Sequence, residues 1–212
     1  MIKVGVIGAG HLGKIHLNIL SNSLFELIGF HDTDIAYSEK LSKEKGYLFF
    51  ADLNSLIEKI DAAVIVSPTT THFKIAKKCI NNGVHVFVEK PLTTNSNEAK
   101  IIDSLSKKKG IIGQVGFVER YNQAFISCKK FIKKPKFIES HRLSDFNPRG
   151  TDVSVIMDLM IHDIDIILNV NKSKVKKIDA SGVSIISSTP DIANARIEFD
   201  DGCIANLTSS RI

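Results

Sequence analysis

The chain has 212 residues, of which 43% are hydrophobic and 24% charged, a composition that excludes an intrinsically disordered protein. Its length allows one domain or two small ones. No apolar run approaches the ~20 residues of a membrane-spanning helix, and no basic segment precedes an apolar one at the N-terminus. We therefore expect no membrane anchor and no signal peptide.

Cysteines and basic residues narrow the function classes further. The three cysteines are widely spaced without a CxxC motif, which argues against a disulfide framework or a zinc site and indicates a cytoplasmic protein with reduced thiols. The net charge is +5, and lysines cluster at 107–109, 129–136 and 172–177. Because cations at helix ends interact favourably with the helix dipole, we interpret these clusters as solvated and expect no nucleic-acid partner.

Over roughly the first 120 residues, short apolar runs alternate with amphipathic stretches, which predicts a parallel α/β sheet. Several of the runs are almost entirely apolar, as expected for strands covered on both faces. Asp52 and Asn95 are predicted to begin helices, and Gly83 and Gly110 to end them. The predicted strands are Lys3–Ile7, Phe25–His31, Tyr47–Phe50, Ala62–Val66, Val84–Val88 and Ile111–Gly116.

After Phe117 the pattern becomes that of an α+β domain. We predict helices over 122–133 and 153–169, a loop at 147–150, and strands over 136–143, 175–187, 193–199 and 203–210. The chain stops within the last strand, so we expect an incomplete, open, mostly antiparallel sheet in which strand 203–210 has an unpaired edge. A naturally short chain is the alternative. The predicted domains are residues 1–120, of the dinucleotide-binding type, and 121–212.

The segment Gly8-Ala9-Gly10-His11-Leu12-Gly13 follows a predicted strand and opens a helix, which is the context of a dinucleotide-binding GxGxxG motif. Gly8 permits the tight turn, Gly10 lets the backbone approach a pyrophosphate, and Gly13 lets helix and strand pack closely. A tight turn without a ligand is the alternative. Asp32 lies 19 residues after Gly13, where a carboxylate accepts from ribose hydroxyls and repels a 2′-phosphate. We predict NAD rather than NADP, with a turn or capping role for Asp32 as the alternative.

Two segments carry candidate catalytic residues. Lys90, in Glu89-Lys90-Pro91, directly follows a predicted strand, where an ammonium stabilises a developing alkoxide; a surface lysine before a turn is the alternative. In the apolar helix 153–169, Asp158, His162 and Asp165 stand at i, i+4 and i+7 on one face. A histidine beside a carboxylate is a natural general base. A core histidine and a metal ligand are alternatives, although no second His or Cys cluster completes a metal site.

Taken together, these motifs resemble the glucose-fructose oxidoreductase / inositol dehydrogenase / MocA family along the whole chain. The resemblance also includes Asp61 to Pro68, Thr71-His72, Gly116 to Asn122 and the Asp158, His162, Asp163, Asp165 pattern. It implies a Rossmann-type domain, then an α+β domain whose open sheet supports homo-oligomers. It further implies hydride transfer between NAD and a hydroxyl of a nucleotide sugar, such as a UDP-N-acetylhexosamine, or of a free sugar or cyclitol. The alternative is a non-catalytic NAD-binding or sensory protein, or an inactive fragment.

The resemblance also implies roles for individual residues. Lys90, Asp158 and His162 would form the catalytic set, and no metal is implied. Arg120, Asn122 and Asp165 would contact the substrate. The implied cofactor contacts are Gly8, Gly10, His11, Leu12, Gly13, Asp32, Ser67, Thr69, Thr71, His72, Glu89 and Lys90.

Overall fold

The structure, a computed structural model, describes residues 1–146 and 153–212. The predicted loop at 147–150 lies outside the described residues. The chain divides into two compact units, Met1–Gly116 and Phe117–Ile212. Each unit has its own sheet and its own apolar core.

The first unit contains a five-stranded parallel sheet in the order β2-β1-β3-β4-β5. The strands are β1 (Lys3–Ile7), β2 (Glu26–His31), β3 (Ala62–Ile65), β4 (His85–Val88) and β5 (Gly113–Val115). The helices are α1 (His11–Ser21), α2 (Ile35–Lys45), α3 (Leu53–Ile57), α4 (Thr69–Asn81) and α5 (Ser96–Lys109). Alternate residues of β3 belong to separate apolar clusters, Ala63 and Ile65 to one and Val64 to the other, so this strand is buried on both faces.

Local chemistry explains most of the element boundaries in this unit. The side chains of Asp52 and Asn95 accept the capping hydrogen bonds of α3 and α5, as predicted. Gly110 ends α5 in the left-handed conformation (φ 65°). The predicted strand Tyr47–Phe50 is wrong. Phe30 exchanges hydrogen bonds with Leu48 and Phe50, and the pairing stops at a single bridge between Phe30 and Phe49.

The second unit contains a mixed four-stranded sheet in the order β6-β9-β8-β7. Its strands are β6 (Phe137–Leu143), β7 (Val175–Val183), β8 (Ile192–Phe199) and β9 (Ile204–Ser210). Its helices are α6 (Gln123–Lys129) and α7 (Ile161–Val170), with a 3-10 turn at Val118–Tyr121 and a π-helical turn at Ile156–Met160. Met160 and Ile167 pack with Ala195 and Leu207 of the sheet in one buried cluster. The predicted α/β class with a second, sheet-containing domain is confirmed.

Two predictions for the second unit are wrong. Strand β9 is not an edge, because it pairs with a strand on each side. Strand β6 pairs parallel to it, with Phe137 beside Ile204 and Leu143 beside Ser210, and β8 pairs antiparallel on the other side. Among the described residues the edges are therefore β6 and β7. The predicted helix 153–169 is present, as a π-helical turn followed by α7, but it is not buried all round as predicted, because one side packs on the sheet while Leu168 is exposed.

Candidate active site

The three glycines of the first loop have different structural roles. Gly8 has φ +98°, and a Cβ there would lie 2.6 Å from the backbone nitrogen of Ser67. A Cβ on Gly13 would lie 2.1 Å from the carbonyl oxygen of Gly8, so helix α1 packs on the loop only with glycine. A Cβ on Gly10 would meet nothing within 4 Å. The backbone at Gly10 thus borders open space that a ligand can fill.

The N-terminus of α1 is suited to an anion. Gly10 is its N-cap, and within the described part of the chain no side chain caps it and no acidic residue lies in its first turn. By contrast, α2, α3 and α5 are capped by the side chains of Asp34, Asp52 and Asn95. The N–H groups that begin α1, with the helix dipole, therefore fit a dinucleotide pyrophosphate, and His11 and Leu12 lie in this turn.

Asp32 follows β2 and touches the glycine loop. Its Oδ2 accepts a hydrogen bond from the Ala9 N–H at 2.7 Å, and its Oδ1 accepts one from the Asp34 N–H at 3.0 Å. The Tyr37 hydroxyl donates to the Ala9 carbonyl at 3.0 Å. Asp34, not Asp32, caps α2, so the capping alternative is wrong for Asp32, although its bond to Asp34 is that of a turn residue.

The loop after β3 is held by hydroxyl and imidazole groups. The Oγ of Ser67 lies 2.7 Å from the Oγ1 of Thr71, and Thr69 begins α4. His72 is 1% exposed, with Nε2 2.8 Å from the Ser67 carbonyl oxygen and Nδ1 2.9 Å from that of Pro91. The structure thus places the predicted cofactor residue His72 between two loops, where its ring ties the loop after β3 to the one that carries Lys90.

Glu89 and Lys90 follow β4 directly and are both half-buried. The Oε1 of Glu89 lies 2.9 Å from the Nε2 of His16 on α1. The sequence motifs did not reveal His16, although its position three residues after Gly13 places it one helical turn beyond the glycine loop. The first unit therefore brings the glycine loop, Asp32, Ser67 and Lys90 to the carboxyl ends of β1 to β4, where parallel sheets bind ligands.

In the second unit, Asp158 lies in the π-helical turn and His162 in the first turn of α7, both half-buried. Asp165 accepts two hydrogen bonds from Arg120, at Oδ2 from Nε (2.6 Å) and at Oδ1 from Nη2. This pairing raises the pKa of Arg120 above its usual value, so the guanidinium stays charged. The Asp165 side chain is 8% exposed, and the pair anchors α7 to the 3-10 turn.

A second pair anchors the same helix and was given no role by the sequence. Asp163 accepts hydrogen bonds from Arg142 of β6 at 2.7 and 3.0 Å, and Glu119 lies 3.8 Å from Arg142. The bonds to Asp163 raise the pKa of Arg142. Asn122, a predicted substrate residue, caps α6 by accepting from the Ala124 N–H at 3.0 Å. Two bidentate pairs, at Asp163 and Asp165 just after His162 in sequence, therefore fix its helix.

Comparison with known proteins identifies the family. Residues 2–117 match the model of the GFO_IDH_MocA oxidoreductase family with an NAD-binding Rossmann fold, and residues 133–212 match the GFO/IDH/MocA C-terminal domain. The chain belongs to this oxidoreductase family. The predicted family and the predicted cofactor, NAD, are confirmed. Among the described residues no helix is both long and apolar enough to cross a membrane, and no three His, Cys, Asp or Glu side chains cluster as a metal site.

Relatives within the family act on sugars and cyclitols. The chain is 32% identical over 212 residues to UDP-N-acetylglucosamine 3-dehydrogenase of Acidithiobacillus ferrooxidans, covering 100% of this chain and 67% of that protein. A solved structure of that enzyme aligns with a TM-score of 0.94 over 100% of this chain and 70% of the enzyme's. The chain is also 30% identical to scyllo-inositol 2-dehydrogenase (NAD(+)) of Bacillus subtilis, covering 99% of this chain and 67% of that protein.

Proposed function

We propose that this NAD-dependent oxidoreductase transfers a hydride between NAD and a secondary hydroxyl of a nucleotide sugar of the UDP-N-acetylhexosamine class. The observation that supports this most is the 32% identity to UDP-N-acetylglucosamine 3-dehydrogenase, which extends over the whole chain. The net charge of +5 suits an anionic substrate. The inositol dehydrogenase at 30% identity makes a cyclitol the second candidate.

The first unit binds the cofactor in this proposal. The free N–H groups at the start of α1 receive the pyrophosphate, and Asp32 accepts from the adenosine ribose. Ser67, Thr69 and Thr71 lie where the loop after β3 leads into α4, beside the glycine loop. Bound NAD supplies the hydride acceptor at its nicotinamide ring.

Three side chains carry the substrate chemistry. His162 takes the hydroxyl proton as the carbon loses its hydride, and Asp158 orients the imidazole. Lys90 donates a hydrogen bond to the oxygen that becomes negative. Arg120 uses its Nε and Nη2 for Asp165, is 44% exposed, and offers the rest of its guanidinium to substrate, with Asn122 nearby in sequence.

The test is NADH formation by the chain with UDP-N-acetylglucosamine, UDP-N-acetylgalactosamine, myo-inositol and glucose. We expect turnover with a UDP sugar, and we expect Lys90→Met and His162→Gln each to lower kcat by about 10²- to 10⁴-fold, because each removes a proton-transfer or charge-stabilising group. Lys108→Met, on an exposed helix end, serves as the control. Tight NAD binding without turnover on any of the four would instead support the alternative, a non-catalytic NAD-binding or sensory protein or an inactive fragment of such an enzyme.

A further inference from the structure

A largely buried hydrogen bond joins the cofactor helix to the loop that carries Lys90. The Nε2 of His16 lies 2.9 Å from the Oε1 of Glu89, and the two side chains are 20% and 12% exposed. His16 follows Gly13 by three residues in α1, whose uncapped first turn is the proposed pyrophosphate site. Glu89 immediately precedes Lys90. The pair thus connects two parts of the proposed site within the first unit.

The Glu89 carboxylate is held on several sides. Its Oε2 accepts from the backbone N–H of Lys90 at 3.2 Å. A Cβ on Gly116 would lie 2.8 Å from that same oxygen, so the glycine leaves room for the carboxylate. The ring of Phe87 lies 5.6 Å from that of His16, centroid to centroid, and packs beside the pair. Because a shielded carboxylate without its donor is costly, loss of His16 would release Glu89 from this position.

We propose that His16 is a positioning residue, which acts through Glu89 to fix the backbone that carries Lys90. The inference rests on the proposed function, in which Lys90 steadies the substrate oxygen. An ammonium that must meet a reacting oxygen requires a defined backbone, because small displacements in an active site lower the rate steeply. The competing explanation is that His16 merely supports α1 and, with it, cofactor binding.

The first experiment measures amide hydrogen exchange of residues 89–93 in the NAD-free chain. His16→Leu removes the donor, whereas His16→Gln keeps an N–H near the position of Nε2. Lys107→Leu is the matched control, since Lys107 is an exposed donor 2.7 Å from Asp103 in the same unit. We expect about tenfold faster exchange in His16→Leu, recovery in His16→Gln and no change in Lys107→Leu. Unchanged exchange in His16→Leu overturns the inference.

The second experiment separates positioning from cofactor binding. We expect His16→Leu to lower kcat about tenfold while the Kd for NAD, measured by calorimetry, changes less than about twofold. In a Lys90→Met background, His16→Leu should cause no further loss, because both act on one group. An NAD affinity that falls as far as kcat, or losses that add, would overturn the inference. Full turnover by Lys90→Met would refute the catalytic role proposed for Lys90, and the exchange experiment would still decide whether His16 holds the loop.

Discussion

The carboxylate of Asp32 combines two tasks. Its Oδ2 accepts from the Ala9 N–H at 2.7 Å and so braces the glycine loop, while its charge faces the place proposed for the adenosine ribose. The spacing from Gly13 and the position at the end of β2 predicted that Asp32 contacts the ribose. The contact with Ala9 could not be predicted, because it depends on how two loops 23 residues apart pack together.

Asp32→Asn separates these tasks, because an amide oxygen still accepts from the Ala9 N–H but carries no charge. We expect the wild type to bind NAD more tightly than NADP, and Asp32→Asn to narrow the ratio of the two Kd values about tenfold, since a 2′-phosphate no longer meets a like charge. Asp32→Ala should in addition weaken NAD binding by unbracing the loop. Calorimetric titration with both cofactors measures this. NADP binding the wild type as tightly as NAD would contradict the prediction, and so would an unchanged preference in Asp32→Ala.

The helix that carries His162 shows how much of a secondary structure the hydrophobic periodicity can predict. The apolar pattern predicted a helix, and one is present, but the pattern did not resolve the π-helical turn at Ile156–Met160 that precedes α7. Asp163 entered only through the family resemblance, whereas Asp165 was visible in the sequence as an ionisable group in an apolar helix, which is costly without a partner. Their arginines lie 21 and 45 residues away, so only the fold reveals the two ion pairs.

The segment that leads into this helix is held by a buried ion pair between Arg211 and Asp191. The Arg211 Nε donates to Asp191 Oδ1 at 2.9 Å, and its Nη1 donates to the Val153 carbonyl at 2.8 Å, with side chains 3% and 0% exposed. The N–H groups of Ser187 and Ile185 hold the pKa of Asp191 well below its usual value. A carboxyl with a lowered folded pKa stabilises the fold above its unfolded pKa of about 4, and that stability is lost as the pH falls below it.

We therefore expect the free energy of unfolding to fall more steeply below about pH 4 in the wild type than in Asp191→Asn, which has no proton to gain. At pH 7, Arg211→Met should lower Tm by roughly 10 °C, because it leaves a buried carboxylate without its cation. Arg196→Met is the control, since that side chain is 41% exposed and lies 3.9 Å from Glu198. Thermal and urea unfolding over a pH series measure both effects. Equal slopes in wild type and Asp191→Asn would remove Asp191 from the acid response.

Across the chain, contacts between residues close in sequence could be predicted, whereas contacts between distant residues could not. The strands of the β8–β9 hairpin were predicted, and the hairpin has a local signal, because Asp201-Gly202 is a turn dipeptide in which Gly202 adopts φ +80°. The parallel pairing of β6 with β9 joins Phe137 to Ile204 and was missed, because no local pattern specifies a partner so far along the chain. That one pairing moves β9 from the predicted edge to the interior of the sheet.

The same pairing defines the surface that we propose for self-association. Phe137 and Leu143 of β6 pair with Ile204 and Ser210 of β9, which point to the opposite face from the buried Ala205 and Leu207, and they are 58% and 66% exposed. Exposed apolar side chains on an open sheet face are typical of an interface between copies. We expect the chain to be dimeric at micromolar concentration. Light scattering should then give a mass above the 23.4 kDa of the monomer.

Phe137→Asp tests whether this face is the interface. We expect the variant to sediment and scatter as a monomer, because a carboxylate opposite an apolar surface must be desolvated without a partner. Leu24→Asp provides the control, since Leu24 is 93% exposed in the first unit and the substitution adds the same charge. Both variants should retain the wild-type circular dichroism spectrum, which separates loss of association from loss of fold. A wild type that is monomeric under these conditions, or a Phe137→Asp variant with undiminished mass, would exclude this sheet face as the contact between copies.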